Sequence, residues 1–185
     1  MNIASHRPLA IASVTALALA GAIACASPTA AAERARLSLA DGMVPEGTTI
    51  DDTEVPAVAR LAPELRDALE DAQAEAGIPF YVNSGWRTAD FQQSLIDDAL
   101  ETYGSWEEAS RWVASRHGSA HLTGDAVDIG GWDASGWLQA NGAAHDLCQI
   151  YDNEGWHFEL REGAAADGCP PRYADATEDP RNAAS

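Results

Sequence analysis

The sequence predicts an α+β domain preceded by a secretory leader. Three observations carry this. An apolar run from Leu9 to Ala24, with Arg7 before it, opens the chain and ends in small residues. Beyond Pro56, apolar residues recur every three or four positions in some segments and alternate in others. These segments do not form βαβ units of even length, which favours α+β over a doubly wound sheet, and no internal repeat is found.

The elements follow in chain order. Residues 1–26 form the leader, too short and Ala-rich for a good membrane span. Two processing routes are open. Ala24-Cys25-Ala26 offers a small-residue cleavage site, and Gly21-Ala22-Ile23-Ala24-Cys25 resembles a lipobox in which Cys25 carries lipid. Either route places the protein outside the cytoplasm. Residues 27–55 lack sustained periodicity and read as a linker or arm. Leu61, Leu65, Leu69 and Ala72, stopped by Gly77, predict an amphipathic helix. Residues 79–83 predict a short strand. Thr88 caps a second helix with Phe91, Leu95, Ala99 and Tyr103 on its apolar face. Ser105 and Glu108 form a capping box that opens a third, with Trp106, Ala109 and Val113 on one side. Residues 125–129 alternate as a strand, residues 133–147 return to helix with a break near Gly142, and residues 156–160 alternate as the last strand. A domain over 56–172 and a flexible acidic tail over 173–185 complete the expected organisation.

Composition excludes several functions. The formal net charge is −18, which repels nucleic acid and anionic lipid. A membrane partner therefore requires lipid at Cys25. The sequence contains no lysine. A Ser-x-x-Lys peptidase, Schiff-base chemistry and a Walker-A phosphate loop are excluded on that ground. Cys148 and Cys169 remain after the leader, and in an oxidising compartment they are expected to pair, tying the end of the domain to the segment before His157.

The chemistry concentrates in two stretches. Residues 119–128 hold His121 and Asp128, seven positions apart, and residues 154–157 hold Glu154 and His157. Two imidazoles and one carboxylate suit a three-ligand zinc site with an open position, and a free glutamate nearby suits a base. Asp125 is the alternative carboxylate ligand. It lies three positions from Asp128, so on a strand only one of the two faces the metal. Glu154 and Glu159 both qualify as base on composition. His117 and His121 have the four-residue spacing of a zincin helix, but Gly118 stands where the catalytic Glu belongs. His145 reads as a structural histidine.

The pattern Ser119-x-His121-x-x-Gly124-x-Ala126-x-Asp128, then Glu154-x-Trp156-His157, resembles the zinc D-alanyl-D-alanine carboxypeptidases of the VanY kind. Ser84-Gly85-Trp86-Arg87 is similar to that family's Ser-Gly-Tyr-Arg, and Phe91-Gln92-Gln93-Ser94-Leu95 continues the likeness over about residues 56–161. The resemblance implies the hedgehog/DD-peptidase fold, a small antiparallel sheet carrying the zinc and flanked by helices. It implies that His121, Asp128 and His157 ligate one Zn2+ and that Glu154 is the base acting on a zinc-activated water. It also implies that Arg87 stabilises the oxyanion and helps place substrate. Ser119, Gln92 and Gln93 are the candidate substrate contacts. Trp86 replaces the family's Tyr, and residues 99–116 are longer and more helical than the pattern leads one to expect, reshaping one wall of the cleft.

The implied function is removal of the terminal D-Ala from peptidoglycan stem peptides by a secreted, cell-wall-associated monomer. An endopeptidase cutting within stem peptides is the alternative enzyme. A zinc-bearing binding module without catalysis is the alternative of another class, but such a module has no need of Glu154 and Arg87.

Overall fold

A computed structural model describes residues 36–182. The expected leader, with Cys25 and both processing routes, lies outside the described residues. No described helix is long and apolar enough to cross a membrane.

Four antiparallel strands carry the architecture: β1 (Tyr81–Ser84), β2 (Ala126–Gly130), β3 (Leu147–Gln149) and β4 (His157–Leu160), in the order β1-β2-β4-β3. Helices α1 (Pro56–Ala59) and α2 (Pro63–Ala76) precede the sheet. Helices α3 (Ala89–Tyr103) and α4 (Trp106–Ala109) lie between β1 and β2, α5 (Trp132–Asn141) follows β2, and α6 (Ala164–Asp167) follows β4. This is the expected α+β class, with a small antiparallel sheet flanked by helices.

The core forms where the apolar stripe of α2 meets the sheet. Leu65 and Leu69 from α2, Phe80 just before β1, Val127 and Ile129 from β2, and Phe158 from β4 are all essentially inaccessible. Each such side chain contributes about 1.5–3 kcal/mol relative to leaving it exposed. The predicted stop holds, since Gly77 closes α2 in a left-handed conformation with its N–H on the Gln73 carbonyl. Thr88 caps α3 by accepting from the Phe91 N–H. Ser105 caps α4, but regular helix there ends after one turn. Ala109 and Val113 pack under Ile96 and Ala99 of α3, and Trp106 stays exposed. The sequence did not announce β3, which pairs with β4 at the end of the region read as helical.

Both flanks are more tightly bound than composition suggested. In the stretch expected to be an arm, Ile50 is fully buried in the core, and the Thr48 carbonyl accepts from the Val82 N–H. Residues 173–182, expected as part of a flexible tail, fold back onto the sheet. Asp175 and Asp179 are buried, and Tyr151 donates to Asp179 at 2.8 Å. Charge alone suggested solvent there, but Arg111, Arg181 and the buried Tyr151 hold these carboxylates. The disulfide joins Cys148 of β3 to Cys169, with Cα atoms 5.6 Å apart.

Candidate metal centre

Strand register builds the site. Asp128 of β2 stands directly across from His157 of β4, so adjacent strands deliver a carboxylate and an imidazole to one spot. On the other side of β2, β1 is irregular between Val82 and Ser84, and Ser84 pairs with Asp128. His121 arrives from a short 3-10 turn, Ala120–Leu122. Two glycines let this loop and β1 close on the site. Gly124 has φ +82°, and a Cβ there would lie 2.2 Å from the Arg60 carbonyl. A Cβ on Gly85 would lie 2.2 Å from the Ala57 carbonyl.

His121, Asp128 and His157 bring one donor atom each to within 4.8 Å of one another. Hydrogen bonds behind the rings fix which nitrogen faces inward. His121 Nδ1 lies 2.8 Å from the Gly85 carbonyl, which can only accept, so Nδ1 carries the proton and Nε2 keeps its lone pair. His157 Nε2 donates to Glu159 Oε1 at 3.1 Å, leaving Nδ1 inward. Those two inward nitrogens lie 3.4 and 3.1 Å from Asp128 Oδ1. Three acceptors facing one another require a cation or a proton between them. Burial opposes charge on Asp128, but His121 and His157 hold its carboxyl well below the usual range. Burial also pulls His157 down, yet its bonds to Asp128 and Glu159 raise it to about 9. Burial and the nearby Arg87 lower His121. The donor chemistry, the closeness and the bonded far nitrogens therefore fit a divalent metal of the zinc type.

Glu154 sits beside this cluster, nearly buried, with a carboxylate oxygen 3.8 Å from His157 Nδ1. Burial is the main cause of its upward shift to about 7. Arg87 is buried as well, and burial lowers its pKa. Neutral groups hold its guanidinium: Gln92 Oε1 at 2.6 Å, Ser84 Oγ at 2.6 Å and Ser119 Oγ at 3.4 Å. A cleft of about 390 Å³ opens over the cluster and includes Arg87, Ser119, Glu154 and Trp156 among its lining.

Several expectations change at this level. Gln92 does not line the cleft. It is fully buried, accepts from Arg87 and donates to the Ala114 carbonyl at 2.7 Å, so both ends of its amide are committed to the scaffold. Gln93 donates to Asp97 at 2.9 Å along α3 and also lies off the cleft. Neither lines the cleft, whereas Ser119 does. The apolar stripe Phe91, Leu95, Ala99 and Tyr103 forms the cleft wall, and Tyr103 stacks on Trp112 with centroids 6.0 Å apart. Asp125 is exposed and accepts from Thr123, which removes it as a ligand. His145 bonds Glu75 at 2.9 Å, away from the cleft, and His117 is exposed. Trp86 packs under the Arg60 guanidinium at 4.2 Å. Glu159, one of two candidate bases, stands behind His157 instead of over the cleft. Ion pairs with Arg161 and Arg181 hold it there, and the sequence offered only its period-2 spacing from His157 as a signal.

Together the sheet, the three converging donors and the adjacent glutamate define a candidate metal centre in a cleft. A family model for VanY, D-alanyl-D-alanine carboxypeptidase, matches residues 58–161, and the chain belongs to that family. A D-alanyl-D-alanine carboxypeptidase of Enterococcus faecalis (strain ATCC 700802 / V583) is 30% identical over 124 residues, covering 54% of this chain and 46% of that relative. The chain thus spans about half the length of the curated relative it matches. Among solved structures, a mutant of the vancomycin resistance D,D-pentapeptidase VanY from the VanB-type cassette, in complex with Zn(II), is 26% identical with a TM-score of 0.49, covering 54% of this chain and 72% of that one. VanYB in complex with D-alanine-D-alanine is 26% identical at a TM-score of 0.49, covering 54% and 71%. The LdcB LD-carboxypeptidase is 24% identical at 0.48, covering 56% and 61%.

Proposed function

We propose that this protein is a zinc-dependent D-alanyl-D-alanine carboxypeptidase that trims peptidoglycan stem peptides outside the cytoplasm. The observation that carries the reading is the cluster of His121 Nε2, Asp128 and His157 Nδ1 with Glu154 beside it in one cleft. His121, Asp128 and His157 would hold the ion. When bound, zinc supplies a Lewis acid that polarises a carbonyl and lowers the pKa of a water.

The chain's own residues supply the rest. Glu154, raised to about 7 by burial, can both take and return a proton near neutral pH. It accepts the proton of the attacking water and passes it to the departing amine. The buried Arg87 guanidinium offers fixed positive charge to the developing oxyanion and to the substrate carboxylate. A preorganised donor of this kind is worth roughly 3 kcal/mol. Gln92 and Ser84 hold that guanidinium in place, so it needs no reorganisation during the reaction. Ser119 Oγ, within reach of Arg87, would contact the terminal carboxylate. The wall of Phe91, Leu95 and Tyr103 would cover the apolar parts of the peptide and exclude water.

The test is incubation of the zinc-loaded protein with a pentapeptide ending in D-Ala-D-Ala, followed by mass analysis. Free D-Ala is expected, with loss of release on chelation. Larger fragments would assign the activity to an endopeptidase. Intact peptide after prolonged incubation with loaded protein would overturn the enzymatic reading.

A further inference from the structure

We infer that Arg181, in the carboxy-terminal segment, is a positioning residue for the metal centre. It locks Glu159 against the far nitrogen of His157. This inference rests on the metal reading proposed above.

The geometry runs outward from the ring. Glu159 Oε1 receives His157 Nε2 at 3.1 Å and Arg181 Nη2 at 3.0 Å. Glu159 Oε2 receives Arg181 Nη1 at 2.7 Å and Arg161 Nη2 at 2.7 Å. Arg161 thus grips only the outer oxygen, whereas Arg181 grips both. Without Arg181, the oxygen that fixes the imidazole loses its second holder, and the carboxylate is free to turn toward Arg161. Arg181 is itself aimed by Asp179, whose two oxygens each lie 3.0 Å from Arg181 Nε, and Asp179 is anchored by the Tyr151 hydroxyl.

Charge leads to the same conclusion. Glu159 and Asp179 are each only 1% exposed. Two buried carboxylates need compensation, and here Arg161 and Arg181 provide it. Arg181 lies outside residues 58–161, where the family model matches, so this support is added by the chain's own carboxy-terminal segment. The segment is tied down independently, through Asp175 to Arg111 at 2.8 Å and through the Tyr173 N–H to the Ile150 carbonyl at 3.0 Å. A ligand imidazole is oriented by the partner of its other nitrogen, and loss of such a partner typically weakens metal binding about 10- to 100-fold.

The test compares full-length parent, Arg181→Gln and Arg181→Lys, each stripped of metal. Zn2+ affinity is read by competition with a chelating indicator, and ligand geometry by the visible absorption of the Co2+-loaded protein. Arg181→Gln is expected to bind Zn2+ about tenfold or more weakly and to shift the cobalt bands. Arg181→Lys, which keeps the charge but not the two-pronged grip, should fall between and carries the test alone if Arg181→Gln does not fold. Arg172→Gln, which breaks an exposed pair with Asp152, should change neither reading. Arg181 variants that bind Zn2+ within about twofold of the parent, with the parent's cobalt spectrum, overturn the inference. If the parent itself binds no Zn2+, the metal reading falls and this inference with it.

Discussion

Two glutamates flank His157, and the protein treats them in opposite ways. Glu154 lies on the cleft side, where burial pushes it up to about 7. Glu159 lies behind the ring. Burial pushes against its charge there too, but hydrogen bonds from His157 and Arg181 hold it below the usual carboxylate range. The same side chain has its pKa raised on one face and lowered on the other, and the proposed mechanism makes the first the proton carrier. Environment sets the difference: desolvation raises a carboxyl that has no bonded guanidinium, and a carboxyl bonded by two guanidiniums holds its charge.

The largest effect expected from breaking this contrast is at Glu154. Glu154→Gln should keep stoichiometric metal and lose about 10²–10⁴ in turnover, measured as D-Ala release. Unchanged turnover would take the proton-transfer role away from Glu154. Arg87→Ala should follow, with turnover reduced roughly 10²–10³-fold and metal content intact. Glu159→Gln should give the inverse signature, a metal affinity about 10- to 100-fold weaker with comparable turnover once zinc is saturating. If its dominant effect were on turnover at saturating metal, the two glutamates would not be divided as described.

Stability measurements sharpen the same division. Removing Cys148 and Cys169 together should cost about 3 kcal/mol in urea denaturation, since they close a loop of 21 residues. Neither glutamate's role should change in that variant. The smallest expected effect concerns Asp179. Burial opposes its charge, but bonds from Arg181 and Tyr151 outweigh this and lower its pKa in the folded protein. A carboxyl lowered on folding adds stability that is complete above its unfolded value and lost as pH falls through the folded one. Asp179→Asn should therefore lower stability at neutral pH and flatten its decline below about pH 4, in urea titrations across pH. An unchanged pH profile would mean that Asp179 contributes nothing to holding the segment down.

Much of the cleft side was legible in the residues. The spacing of His121 and Asp128, and the run Glu154 to His157, are local patterns whose chemistry is specific once they occur together. Strand alternation placed Asp128 and His157 on short strands, and the observed register sets them opposite one another. The rear support was not legible. Arg181 meets Glu159 across 22 residues, from a segment whose acidic composition reads as solvated coil. No local period encodes such a contact. Gln92 was misread for a related reason: its side chain turns inward from α3 to hold Arg87, and motif likeness does not say which way an amide points. The apolar stripe of α3 was found by its spacing, but spacing could not say that Phe91, Leu95 and Tyr103 line a cleft. Ile50 was missed because one buried residue in an aperiodic stretch leaves no pattern.

Equilibrium dialysis of the metal-free protein against Zn2+, beside its Asp128→Ala variant, tests the convergence of His121, Asp128 and His157 most directly. The parent should retain one ion per chain under conditions where the variant retains little or none. Equal retention by parent and variant would contradict the assignment.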